Sequence, residues 1–201
     1  MKKIKTVIFA SGRGENARKI LMRGRSGELP GIEIVAIVSD VNNSGALEVA
    51  REFGVKGIYL DPMRKGARFS EEGARFYLEN LQFLCADFVV LAGFMRIIPD
   101  NILEAYRQRI INLHPSLLPA FKGCRDAITD AWNYGVKVSG CTVHFVNGEL
   151  DGGKIIAQKA VEREPRDTFE TFSEKIHAAE HMLLPQVVAD FGAGIIPLGV
   201  E

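Results

Sequence analysis

Five short, uninterrupted apolar runs punctuate the chain up to Pro115: KTVIFASG, IEIVAIVSD, GIYLD, DFVVLAG and RIINLHP. Each is bounded by Gly, Asp, Asn or Pro and lacks the apolar/polar alternation of a strand with one wet face. Each therefore reads as a strand covered on both sides. Segments with helix start and stop signals lie between them: Glu15 to about Gly24, Ser44 to Gly54, about Ser70 to Leu84, and Pro99 to Tyr106. Doubly covered strands need helices above and below, and strand–helix–strand units close with right-handed crossovers. The first half of the chain is therefore doubly wound.

Beyond Pro119 the order changes. A helix around Asp126 to Asn133 precedes two strands, VKVSGCTVHFV and KIIAQKAV, separated only by the turn-rich NGELDGG, and a long helix follows from about Thr168 to Phe191. So short a separation predicts an antiparallel or mixed edge. The GAGIIPLG tail is expected to dock a last strand, and PMRKGARFSEEG to be a mobile surface loop. With 201 residues, 47% of them hydrophobic, and no repeat or linker, residues 1–201 read as one domain. The fold class is α/β, a Rossmann-like and mostly parallel sheet with helices on both faces and a mixed edge in the C-terminal part.

Twenty-five basic and twenty-five acidic side chains cancel, which excludes an overall field that recruits nucleic acid or an anionic membrane. Residues 1–25 still hold eight Lys or Arg against Glu15 alone, either a solvated face or the surroundings of an anionic ligand. TVIFA is too short for a signal segment, and no run reaches the roughly 18 apolar residues of a membrane span. Cys85, Cys124 and Cys141, odd in number and widely spaced, are expected to be core thiols of a cytoplasmic protein. His114, His144, His177 and His181 lack the paired spacing of a zinc site, so no metal is expected.

Three stretches carry chemistry. ASGRGEN follows the first strand and opens the first helix, where backbone N–H groups and the positive helix end attract phosphate; its Gly-x-Gly-x-x-Ala pattern suits a single phosphate better than a dinucleotide. In INLHPSLLPAF, Asn112 and His114 share one face of an extended strand, and Pro115 holds His114 extended. Ligands of open α/β sheets collect beyond this end of the strands. In ELDGGKI, Asp151 either opens an ordinary Asp-Gly turn or folds over the sheet end to meet His114. In the second case a carboxylate, an imidazole and an amide surround one point, an arrangement suited to a carbonyl attacked by an amine.

Taken in order, ASGRGEN, VVLAGFMRII, INLHPSLLPAF, GVKVSGCTVHFV, ELDGGKIIAQ and AAEHMLLP resemble the phosphoribosylglycinamide formyltransferase family of folate-dependent enzymes. The resemblance covers nearly the whole chain. It implies formyl transfer from 10-formyltetrahydrofolate, as co-substrate and without a metal, to glycinamide ribonucleotide in purine synthesis. By it, Asn112, His114 and Asp151 are catalytic; Met95, Arg96, Ile97 and Ile98, with Leu103, Val146 and Leu150, contact folate; Gly14, Glu15 and Asn16 hold phosphate, and Glu180 the ribose. Residues 1–110 then form a phosphate-binding half and 111–201 a catalytic and folate-binding half. Both partners are small molecules, and the chain acts as a monomer or homodimer.

The chain departs from the family at Arg13 and Glu15, where Asn and Ser are usual, and at Lys122 and Lys154, which stand in place of proline and imply looser or differently placed loops. These departures bear on the amine substrate more than on the formyl donor, and two other functions stand as alternatives. One is another folate formyl enzyme, such as formyltetrahydrofolate hydrolase, whose family carries an extra N-terminal domain, or a sugar-nucleotide N-formyltransferase. The other is a folate- or nucleotide-binding regulator without turnover.

Overall fold

The five apolar runs form β1 (Ile4–Phe9), β2 (Ile32–Ser39), β3 (Lys56–Tyr59), β4 (Phe88–Leu91) and β5 (Ile110–His114) in a computed structural model that describes residues 2–199. These pair in parallel. β6 (Val138–Phe145) and β7 (Ile155–Glu162) add antiparallel, completing one sheet ordered β3-β2-β1-β4-β5-β6-β7. The helices are α1 (Glu15–Arg25), α2 (Gly45–Phe53), α3 (Glu71–Phe83), α4 (Asp100–Ala105), α5 (Ala127–Tyr134) and α6 (Phe169–Gly192).

Alternation along single strands supplies two cores. Ile8, Phe88, Val90, Ile111 and Val143 pack with Ile20 of α1, Val49 of α2 and Leu184 and Phe191 of α6. Val7, Phe9, Val89, Leu91 and Ile110 point the other way, onto Tyr77 and Leu81 of α3 and Ile102 of α4. Side chains of Ser44, Ser70, Asp126 and Thr168 cap four of the helices by accepting from N–H groups in their first turns. Pro185 lies inside α6 and cannot donate to the carbonyl one turn earlier, so one rung of the hydrogen-bond ladder is missing just beyond Glu180 while the helix continues.

The chain runs outward from β1 through β2 to β3, then returns to lay β4 on the other side of β1. The connections leaving β1 and β4 therefore diverge and open a crevice at the carboxyl ends of the strands. Ser11 N donates to Gly93 O at 3.1 Å and ties the two connections at its base.

Several details differ from the sequence expectations. The 193–199 tail forms turns and no strand; Ile196 and Leu198 pack on the core, and Gly199 N donates to Gln108 O. The loop before α3 is pinned, because Ile97 N donates to Ala67 O, Ser70 N to Pro62 O, and Arg96 to the carbonyls of Arg64 and Gly66. Only Cys141 is a core thiol, where burial pushes it up to about 12; Cys85 is exposed and Cys124 half-buried. No helix among the described residues is long and apolar enough to cross a membrane.

Candidate active site

β5 ends in the crevice. Ile111 and Leu113 belong to the core under α1 and α6, so Asn112 and His114 project from the opposite face, beside Ile110. The HPSLLPA loop behind them is fastened to the antiparallel edge through Thr142. Its hydroxyl donates to Ser116 O at 2.6 Å and accepts from Leu118 N at 3.0 Å and Gln158 Nε2 at 2.9 Å, which uses one donor and two lone pairs completely. Ser116 Oγ in turn donates to Ala120 O, so the serine is a loop fastener.

The turn between β6 and β7 brings Asp151 to the pair. Asp151 adopts φ 49°, a left-handed conformation that Asp tolerates. Gly153 is required by close approach, since a Cβ there would lie 1.7 Å from Phe145 O. Asp151 Oδ2 accepts from Gly123 N at 3.0 Å and lies 3.4 Å from His114 Nδ1, and Oδ1 lies 3.5 Å from Asn112 Nδ2. His114 Nε2 rests 3.1 Å from Phe121 O, so the ring presents both nitrogens to acceptors. Lys122 pairs with Glu149 across the two loops, which are bridged where looser loops were expected; the other replacement, Lys154, is exposed.

A fourth polar group was missed. His144 stands opposite Asn112 in the β5–β6 register, and its Nε2 is 3.2 Å from Asn112 Nδ2 and 3.7 Å from Asp151 Oδ1. Burial holds its pKa below the ordinary imidazole range, against the opposing pull of the Phe145 carbonyl and Asp151. VHFV alone says nothing of this; the signal appears only once β6 is paired with β5.

Two adjoining cavities, about 640 and 680 Å³, meet at Asn112, Asp151, Arg96, Ile97 and Leu150. The first also takes in Gly14, Glu15, Asn16, Met95, His114 and Glu180; the second takes in Ile98, Leu103, Val146 and His144. Met95 thus lines a different cavity from Ile98, Leu103 and Val146, with Ile97 and Leu150 shared between the two. Arg96, expected to contact folate, donates from Nε to Asp40 Oδ2 at 2.6 Å, in a pair whose side chains are only 17% and 3% exposed. Asp40 also accepts from Ser11 Oγ, which accepts from Met95 N. Arg96 thus joins the ends of β1, β2 and β4 to the loop before α3 while lining both cavities.

At the far end of the first cavity, Gly14 starts α1 with φ 78°, and a Cβ there would meet Ala46 Cα at 2.6 Å, so only glycine lets this loop lie against α2. No side-chain hydrogen bond caps α1. Glu15 is exposed. Glu180 is buried, and its Oε2 lies 2.9 Å from His177 Nδ1, which raises the His177 pKa. The neighbouring His181 is lowered, chiefly by burial. Among the described residues, no group of three or more His, Cys, Asp or Glu is placed to hold a metal.

A doubly wound sheet whose switch point opens on two adjoining cavities with one shared polar wall is the Rossmann-like class of protein with a small-molecule site at its strand ends. Residues 4–188 match the family described as formyl transferase, and the chain belongs to that family. It is 40% identical over 184 residues to phosphoribosylglycinamide formyltransferase of Bacillus subtilis, an alignment covering 92% of each chain. It is 35% identical to the trifunctional purine biosynthetic protein adenosine-3 of Gallus gallus, covering 98% of this chain but 19% of that protein. Among solved structures, glycinamide ribonucleotide transformylase 1 from Symbiobacterium toebii superposes with a TM-score of 0.88 at 38% identity, over 98% of this chain and 92% of that one. The phosphoribosylglycinamide formyltransferase of Bacillus halodurans matches equally well, with TM-score 0.88 and 38% identity over 98% of this chain and all of the other, 100%.

Proposed function

We propose that this chain transfers the formyl group of 10-formyltetrahydrofolate to the primary amine of glycinamide ribonucleotide. The convergence of Asn112, His114 and Asp151 on the wall shared by the two cavities carries this reading. The names of the relatives above, formyl transfer to phosphoribosylglycinamide, support the acceptor in this reading. Ile97, Ile98, Leu103 and Val146 line the second cavity and suit a flat ring, with Leu150 at the boundary. The uncapped start of α1, with Gly14, Glu15 and Asn16, suits the phosphate, and Glu180 the ribose hydroxyls. In this reading residues 1–110 supply the phosphate loop, residues 111–201 the reacting groups, and the folate cavity draws on both halves; the chain works as a monomer or homodimer.

Formyl-folate, when bound, supplies the activated carbonyl carbon. Asn112 Nδ2 donates to the oxygen that gains negative charge as the amine attacks, and His114 adds positive charge nearby. Direct donation from His114 Nε2 requires it to exchange the Phe121 carbonyl for that oxygen, which makes Asn112 the better placed donor. Asp151 orients His114 and takes up, through water, the proton the amine loses, while N10 gains one as it leaves.

Release of tetrahydrofolate, followed by absorbance with glycinamide ribonucleotide as acceptor, tests this. Asn112→Ala should lower kcat by roughly 10²–10³. Wild-type turnover in both Asn112→Ala and His114→Ala rejects the site; formate release without any amine means a hydrolase; no turnover at all means a binding protein.

A further inference from the structure

A buried histidine behind the reacting groups has no part in the chemistry above. His144 is 2% exposed, on β6, directly across from Asn112. Its Nδ1 lies 2.8 Å from the Phe145 carbonyl, which can only accept, so Nδ1 carries the ring proton. Its Nε2 then holds a lone pair, aimed at the Asn112 side chain 3.2 Å away. The Asn112 amide is constrained from the other side too, because Asp151 Oδ1 at 3.5 Å repels an amide oxygen and accepts from an amide N–H. Both neighbours therefore demand Nδ2 where it stands, and the strongly bound N–H is the one given to His144.

We infer that His144 is a positioning residue: as a neutral, Nδ1–H tautomer it fixes the Asn112 amide so that the second Nδ2 hydrogen is held toward the reacting oxygen. A protonated or rotated ring would remove the lone pair and free the amide to turn its oxygen toward the developing charge, where it repels. The long contact to Asp151 is the one given up when that charge forms. This rests on the formyl-transfer reading above, but it concerns which atom of Asn112 faces the substrate rather than which substrate is bound.

The test compares His144→Gln, whose side-chain oxygen reaches the place of Nε2, with His144→Asn, which replaces Nδ1 only. Both are neutral amides of similar burial, and thermal unfolding of each shows whether it folds. Glutamine should keep kcat within about threefold, whereas asparagine should lower it roughly 10- to 100-fold with both KM values unchanged, as expected when an oriented donor is lost. In an Asn112→Ala background the asparagine change should have no further effect, because the residue it positions is gone. Equal losses for the two variants, rising KM values, or losses that multiply with Asn112→Ala overturn the inference. If only the asparagine variant folds, its kcat with and without Asn112→Ala decides by the same additivity; if only the glutamine variant folds, a loss of about tenfold or more overturns the inference and retained kcat supports it. Full turnover in Asn112→Ala itself would instead remove the formyl-transfer site on which the inference stands.

Discussion

Gly153→Ala converts a backbone contact into a kinetic measurement. A Cβ at this position would sit 1.7 Å from Phe145 O and 2.7 Å from Phe145 C, whereas ordinary contact begins at 3.4 Å. The obstacle is main chain of β6 and cannot rotate away, so the turn must shift by about 1.7 Å, the difference between the two distances. Strain of this kind costs about 1–3 kcal/mol, which in a chain of this size lowers the melting temperature by about 2–12 °C. The larger effect is on rate. Asp151 lies two residues away and meets His114 and Asn112 at 3.4 and 3.5 Å, contacts that a shift of this size breaks. Misplacement by about 1 Å costs about 10²-fold. Steady-state formyl transfer should therefore fall about 100-fold in kcat in protein that is still folded at the assay temperature. An alanine variant with wild-type kcat would refute the claim that this turn positions the carboxylate.

Arg96→Met leaves Asp40 buried without its partner and should cost about 3–5 kcal/mol, seen as a lower melting temperature together with faster proteolysis in the 62–69 loop; an unchanged melting temperature contradicts the role assigned to Arg96. Glu15 is exposed and screened, so Glu15→Ser should change the KM for the amine substrate by less than about twofold, and a tenfold drop would put the carboxylate on the phosphate. His144 faces Asp151 and His114, and its folded pKa is depressed, so between that value and the unfolded value of roughly 6.5 the unfolded chain binds more protons. Its contribution to stability is complete above about pH 6.5 and is lost as pH falls toward the folded pKa. Melting at pH 7.5 and 5.5 should accordingly show a smaller acid loss in His144→Gln than in the unchanged chain.

The parallel half of the sheet was legible because a strand covered on both faces has nowhere to put a polar side chain, and runs such as DFVVLAG are hard to place elsewhere. Asn112 and His114 could be paired from spacing alone, since two residues on one strand share a face whatever lies around them. Asp151 could be named as a candidate but not placed, because its turn sits beside β5 only through the β5–β6 pairing. His144 was invisible for the same reason, its partner being 32 residues away across a register that no local pattern encodes. The bond from Arg96 to Asp40 was equally invisible, because Asp40, 56 residues distant, comes to it only when β2 and β4 flank β1. Cys85 lies at a left-handed turn just after α3, where an apolar neighbourhood in sequence does not mean burial.

The saturated hydroxyl of Thr142 bears on how such a chain can change over generations. Every bonding direction of that oxygen is committed to the 116–118 segment or to Gln158, so the distance from His114 to Phe121 is set by β6 and β7 as well as by the loop's own residues. Insertions or deletions there would have to be matched on two neighbouring strands at once. Drift in length should therefore avoid the stretch behind His114.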